Sequence, residues 1–322
     1  MITATALCKK FFIPDRVKGP FGAIRGLVQR TGHTVVAVDN VGFSITPGEF
    51  VGYIGPNGAG KSTTIKMLTG ILHPTSGSVE VMGLSPQQHR AQVVKNLGVV
   101  FGQRTQLWWD LPLIESFELL AAMYNVSKTD YAARLRQFST LLGLDEFWHN
   151  PVRKLSLGQR MRGDICAALL HRPQILFLDE PTIGLDVVAK NSIREFLREI
   201  NQDGVTILLT THDLGDVEKL CRRVMVINHG QKLFDGTLDA LRRQIGVVSQ
   251  LILDFEEAIE LSTAVFISGV RIEQPEATRL VIEFDRCNLS PNALLQHFAA
   301  LGEIKDIHIA EPDIEVAVAK LF

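Results

Sequence analysis

Eight residues constrain this chain more than any others: Gly55, Pro56, Asn57, Gly58, Ala59, Gly60, Lys61 and Ser62 fit the pattern G-x-x-x-x-G-K-[ST]. Such a loop works only between a strand and a helix, and both flanks fit. Phe50–Ile54 is a short apolar run that stops in Gly and Pro, the pattern of a buried strand. Gly60–Leu72 carries Ile65, Leu68 and Thr69 at helical spacing. Strand, glycine-rich loop and helix in succession open a βα unit of a parallel sheet. The glycines let successive backbone N–H groups turn towards phosphate oxygens, and the helix N-terminus adds its positive dipole end. Lys61 can reach the β- and γ-phosphates and the Ser62 hydroxyl can ligate Mg²⁺. The eight loop residues and Thr63 are therefore the candidate nucleotide contacts.

The rest of the chain reads as α/β. Residues 1–12 and 35–55 read as strands, and Val35–Ile45 ends in the turn Thr46-Pro47-Gly48. From 105 to 170 the pattern changes. Leu113–Tyr124 and Thr129–Leu142 show a 3.6-residue period with no convincing strand between, which implies a helical subdomain inserted in the α/β domain. Strands resume at Ile175–Leu178, Val205–Leu209 and Val224–Ile227. The apolar run Ile175–Leu178 ends in Asp179 and Glu180, at the carboxyl edge where α/β folds bind ligands. Asp179 is placed to hold Mg²⁺, directly or through water, and Glu180 to accept a proton from an attacking water.

After a connecting helix at Thr237–Ile245, residues 250–322 read as a small α+β unit. Its strands are expected at Leu251–Phe255, Gly269–Ile272, Arg279–Phe284 and Ile304–Ile309, with a helix capped by Ser290-Pro291 and ending at Gly302. Charge supports a boundary here. Residues 241–322 carry 7 Lys/Arg against 13 Asp/Glu, a balance of −6, and the rest carries +4. We therefore expect domains at 1–240, with the helical subdomain at about 105–170, and at 241–322. A net charge of −2 argues against a general nucleic-acid binder. No run approaches the roughly 18–20 apolar residues of a membrane span, and Met1–Leu7 lacks the preceding charges of a secretory signal. None of Cys8, Cys166, Cys221 and Cys287 forms a Cys-x-x-Cys pair, so scattered reduced thiols are expected.

With these motifs in place the sequence resembles the ATP-binding subunit of ABC transporters over residues 1 to about 240. Leu155-Ser156-Leu157-Gly158-Gln159 is similar to the family's signature, with Leu157 where Gly is usual, and Ser156 precedes Asp179 by 23 residues. Glu180-Pro181-Thr182 leads into Gly184-Leu185-Asp186, similar to the D-loop. His212 resembles the switch histidine, Gln103 the Q-loop glutamine and Phe11 the aromatic residue that stacks on adenine. The resemblance implies ATP and Mg²⁺ as ligands, with Ser62, Gln103 and Asp179 on the metal. It implies Glu180, His212 and Gln103 in catalysis, with His212 holding the attacking water in line and Gln103 sensing the γ-phosphate. Ser156, Gly158, Gln159 and Asp186 would then serve a composite site, the signature meeting ATP bound to a second ATPase subunit. Integral-membrane permease subunits are the implied partners, and the cytoplasmic face of the membrane the implied location.

Two departures stand out. Leu157 adds bulk where backbone would approach ATP, so either its side chain points away or the site is altered. The stretch Ile13–Gly32 is longer than a minimal subunit needs; Phe21, Ile24 and Val28 fall at helical spacing and the stretch carries +3. It reads as a basic amphipathic helix near the membrane or permease, or as a solvated insertion. Gly60–Gly77 and the tail Glu311-Pro312-Asp313-Ile314-Glu315 resemble ABC-2-type exporters of the daunorubicin-resistance kind. An importer subunit is the alternative reading, and a non-transport ABC ATPase the third. Trp108 and Trp109 read either as an exposed permease anchor or as packing inside the subdomain.

Overall fold

The computed structural model describes residues 1–15, 32–102, 104–244, 249–261, 267–285, 288–310 and Val318. The chain divides into two compact units, residues 1–236 and 237–322.

In the first unit, three strands form an antiparallel sheet in the order β2-β1-β4: β1 (Ile2–Pro14), β2 (Gly32–Ile45) and β4 (Ser76–Val81). A six-stranded sheet has the order β5-β6-β7-β3-β8-β9. Its strands are β3 (Phe50–Ile54), β5 (Leu97–Phe101), β6 (Ile175–Asp179), β7 (Thr206–Thr211), β8 (Arg223–Asn228) and β9 (Gln231–Thr237). The pairs β5/β6, β6/β7, β7/β3 and β3/β8 are parallel. All five residues of β3 and of β6 are buried, which is why both read as unbroken apolar runs. The helix α1 (Lys61–Leu68) joins Ile2, Leu7, Ile45, Tyr53, Val81 and Met225 in one core through Ile65, Met67 and Leu68.

A short helix α2 (Arg90–Val94) precedes β5, and three longer ones follow it: α3 (Leu113–Met123), α4 (Lys128–Leu142) and α5 (Leu157–Leu169). Then come α6 (Val187–Gln202) and α7 (Leu214–Leu220), with α8 (Leu238–Gln244) opening the second unit. Among the described residues no helix is long and apolar enough to cross a membrane.

The second unit holds a four-stranded antiparallel sheet in the order β11-β12-β10-β13. These are β10 (Ser249–Phe255), β11 (Val270–Glu276), β12 (Arg279–Phe284) and β13 (Ile304–Ala310). Helix α9 (Pro291–Phe298) is capped by Ser290, whose hydroxyl accepts the Ala293 N–H, and it buries Leu294 and Phe298 on the strand residues Leu251, Leu253, Leu280 and Ile282.

Three expectations need correction. The helix after the glycine loop ends at Leu68, not Leu72, because Gly70 turns left-handed at φ +71° and the Leu72 N–H closes back on the Lys66 oxygen at 2.8 Å. Strands β4 and β9 and helix α2 occupy stretches in which the pattern predicts no element. Ile13, Pro14 and Gly32 belong to no helix: they extend the β1/β2 hairpin, with Ile13 opposite His33 and Pro14 opposite Gly32. Phe21, Ile24 and Val28 lie outside the described residues, as do Gln103, Cys287 and the tail Glu311–Glu315.

Candidate active site

The strand β3 delivers the chain into the loop 55–62, and the loop's shape leaves little freedom. A Cβ on Gly55 would stand 2.2 Å from the Ile227 carbonyl oxygen, so the loop starts hard against β8. Gly60 has φ +105°, and a Cβ there would stand 2.3 Å from the Ala37 oxygen. The loop closes on itself through the Ala59 N–H to the Pro56 oxygen, 3.1 Å, and the Gly230 N–H donates to the Ala59 oxygen at 3.0 Å.

Lys61 is 5% exposed. Its ammonium donates to the Gly55 oxygen at 2.7 Å and to the Pro56 oxygen at 3.1 Å, and lies 3.6 Å from Glu180 Oε1. Burial lowers its pKa, while Glu180 and Asp179 pull the other way. The loop opens on a cleft of about 480 Å³. Asn57, Gly58, Gly60, Lys61, Ser62 and Thr63 line one side of it, and Asp179 and Glu180 the other. Asp179 ends β6, and its Oδ1 accepts the Thr210 hydroxyl at 2.5 Å. Glu180 follows at φ +54°, with Oε1 3.4 Å from His212 Nδ1. His212 follows β7 and is 48% exposed. The cleft thus gathers the Lys61 ammonium and two carboxylates beside the glycine loop, and the His212 imidazole, which does not line it, reaches it through Glu180: a set of groups that can hold a polyphosphate and move one proton.

Gly55, Pro56 and Ala59 shape the loop without lining the cleft. Ser156, Gly158, Gln159 and Asp186 are elsewhere on the same chain. Ser156 caps α5 by accepting the Gln159 N–H, and the Gln159 side chain accepts the Ser156 N–H in return, a reciprocal capping box. Asp186 caps α6, accepting the Ala189 N–H at 2.8 Å. Leu157 points at its own D-loop: its Cδ2 is 3.0 Å from where a Cβ on Gly184 would be. Phe11 is on β1 opposite Val35, with the Lys9 ammonium 5.2 Å over its ring, and it does not line the cleft. Gln103 is outside the described residues, but its neighbours Gly102 and Arg104 line the cleft. Ala37, Lys66, Ile71 and Arg104 also line it without having been expected to. No local pattern marks them. Thr210 carried a signal, a hydroxyl at the end of an apolar strand one position before Thr211-His212.

A glycine loop shaped to cradle phosphate on a parallel sheet, beside a strand-end carboxylate pair, defines a P-loop nucleoside triphosphatase. The family model "ABC transporter" covers residues 38–183. The ABC transporter ATP-binding protein NatA of Bacillus subtilis (strain 168) is 34% identical over 64% of this chain and 84% of its own. The linearmycin resistance ATP-binding protein LnrL of the same organism is 28% identical over 86% of this chain and 91% of its own. The methionine import ATP-binding protein MetN of Latilactobacillus sakei subsp. sakei (strain 23K) is 33% identical over 80% and 76%. A dimeric ATP-binding cassette in a post-hydrolysis state with ADP and Pi, MJ0796, superposes with a TM-score of 0.63 at 25% identity, over 74% of this chain and 99% of that one. The chain belongs to the ATP-binding subunits of ABC transporters, ATPases whose hydrolysis is coupled to transport.

Proposed function

We propose that the chain is the ATPase of an ABC-2-type exporter, that Glu180 is the general base and that His212 orients the attacking water. The observation that carries the site reading is Glu180, which lines the cleft with Lys61 3.6 Å from its Oε1 and His212 Nδ1 3.4 Å from the same oxygen. His212 Nδ1 faces the carboxylate, leaving its exposed ring edge for a γ-phosphate. Ser62 and Asp179 fit Mg²⁺, which takes hard oxygen donors and usually one or two carboxylates with substrate phosphates. When bound, it would neutralise charge on the β- and γ-phosphates. Phe11 is proposed for the adenine and Gln103 for the γ-phosphate, as the resemblance implies. Residues 1–240 then form the ATP-binding domain, residues 241–322 an accessory domain, and the protein works at the cytoplasmic face of the membrane.

Export is favoured by the likeness to LnrL, a resistance protein, across 91% of its length. The likeness to the importer subunit MetN supports the second reading, import. The proposed assembly is a pair of ATPase subunits, identical or related, with membrane permeases. Lys61 and Ser156 both belong to a phosphate site, yet only Lys61 lines the cleft of its own chain.

Glu180→Gln keeps the shape and removes the base. ATP should still bind while turnover falls on the order of 10²-fold. In that background, a cysteine placed near Ser62 and one placed near Ser156 should crosslink between chains, and more so with ATP. Wild-type hydrolysis by the variant would sink the base assignment, and crosslinks confined to one chain would sink the paired site.

A further inference from the structure

Glu180 has a backbone that it would not adopt alone. Its φ of +54° is left-handed, unfavourable for a residue with a Cβ, and Pro181 pushes its predecessor towards extended backbone. Such a conformation persists only where the surroundings hold it, and it clusters at working sites. On the N-terminal side the hold is visible. The Glu180 N–H donates to the Thr210 oxygen at 2.9 Å, and a Cβ on Gly102 would stand 2.2 Å from the Glu180 carbonyl oxygen.

On the C-terminal side the anchor is Thr182, 3% exposed, whose hydroxyl donates to Asp216 Oδ2. Asp216, fully buried on α7, accepts Arg194 Nε at 2.6 Å through Oδ1, and Arg194 Nη2 contacts the same oxygen. Arg194 is on α6 and is 7% exposed. Beside them Lys190 pairs with Asp213, the residue after His212. One buried carboxylate therefore ties the segment after Glu180 to the helix after the D-loop and to the helix after His212. Unlike a surface ion pair, it holds nothing exposed to solvent. Its one neutral ligand is the Thr182 hydroxyl, two residues from the carboxylate in the cleft.

We infer that Thr182 is a positioning residue: held by the Asp216–Arg194 pair, its hydroxyl fixes the left-handed backbone of Glu180 and so aims that carboxylate at His212. The inference rests on the reading of Glu180 as the base. Removing Asp216 would be a poor test, since it leaves a buried guanidinium without its counter-charge and threatens the fold. Thr182→Val keeps the volume and the ion pair and deletes only the hydroxyl link.

The test is ATP hydrolysis by the full chain. Thr182→Val should lower kcat on the order of 10-fold, since small misplacements of a reacting group cost that much or more, with the KM for ATP unchanged. Thr182→Ser, which restores the hydroxyl, should restore kcat. Adding Thr182→Val to Glu180→Gln should leave the residual single-turnover rate unchanged, because no base remains to be aimed. Wild-type kcat in Thr182→Val beside an inactive Glu180→Gln would overturn this inference alone. So would failure of Ser to rescue, or the same loss in both backgrounds, which marks a merely structural role. Wild-type hydrolysis by Glu180→Gln would overturn both this inference and the reading beneath it.

Discussion

Gly60 is the most constrained residue of the cleft, because two independent facts forbid a side chain there: its φ of +105° and the Ala37 oxygen 2.3 Å from any Cβ. Gly60→Ala has to move β2 or the loop, and both form the wall that holds phosphate. The expected cost is on the order of 2 kcal/mol of stability, together with loss of nucleotide binding. Thermal unfolding and titration with a fluorescent nucleotide measure the two separately, and an unchanged affinity would contradict the account. Leu157 teaches the opposite lesson at the same scale. Its bulk looks hostile to a phosphate contact, yet its side chain rests against Gly184 of the same chain, clear of this chain's own cleft.

Helix α5 does more than present the signature at its start. Asp164 on it accepts the Thr105 hydroxyl at 2.9 Å and the Gln106 N–H at 3.0 Å, while the Gln106 amide donates back to the Asp164 carbonyl at 2.9 Å. The segment just after Gln103 is thus strapped to the helix that Ser156 caps. Burial pushes the Asp164 carboxyl up to about 6, against 3.8 for the free group, so the folded chain holds this proton more tightly than the unfolded one. Its contribution to stability is complete below about pH 4 and is lost as pH rises through about 6. Asp164→Asn does not titrate. Between pH 4 and 6 wild type should lose up to about 3 kcal/mol relative to that variant, in urea unfolding at a series of pH values. Parallel pH profiles would refute this. Elements with a local signature were legible in the sequence: the buried runs β3 and β6 and the cap Ser290. Strand β4 was not, because only Val79 and Val81 of its six residues are buried and its partner β1 is some 70 residues away. The cleft's two ends were legible as motifs, whereas Ala37 and Arg104 reach it through tertiary packing alone. So does the direction of Leu157, which no spacing reveals.

At the scale of the whole molecule, we propose that the helical part docks the permease through the apolar side chains it exposes. Trp108 and Trp109, a few residues after Gln103, are 38% and 49% exposed, and Leu119 and Met123 further along are also open to solvent. Changing both Trp to Ala should leave ATP binding intact and abolish stimulation of hydrolysis by the permease. Deleting residues 250–322 should spare that stimulation. The reverse result in the assembled transporter would move the coupling surface to the second unit. The order of strands carries a different consequence, for synthesis. Strands β10 to β13 pair among themselves within one continuous stretch. The strand that feeds the phosphate loop, β3, lies between β7 and β8, more than 150 residues further along the chain. At about 5–20 residues per second, a ribosome leaves β3 without either neighbour for roughly 8–30 s. The most chemically specialised loop of the protein is thus made early and locked late, and for that interval the nascent chain carries its apolar strand unpaired.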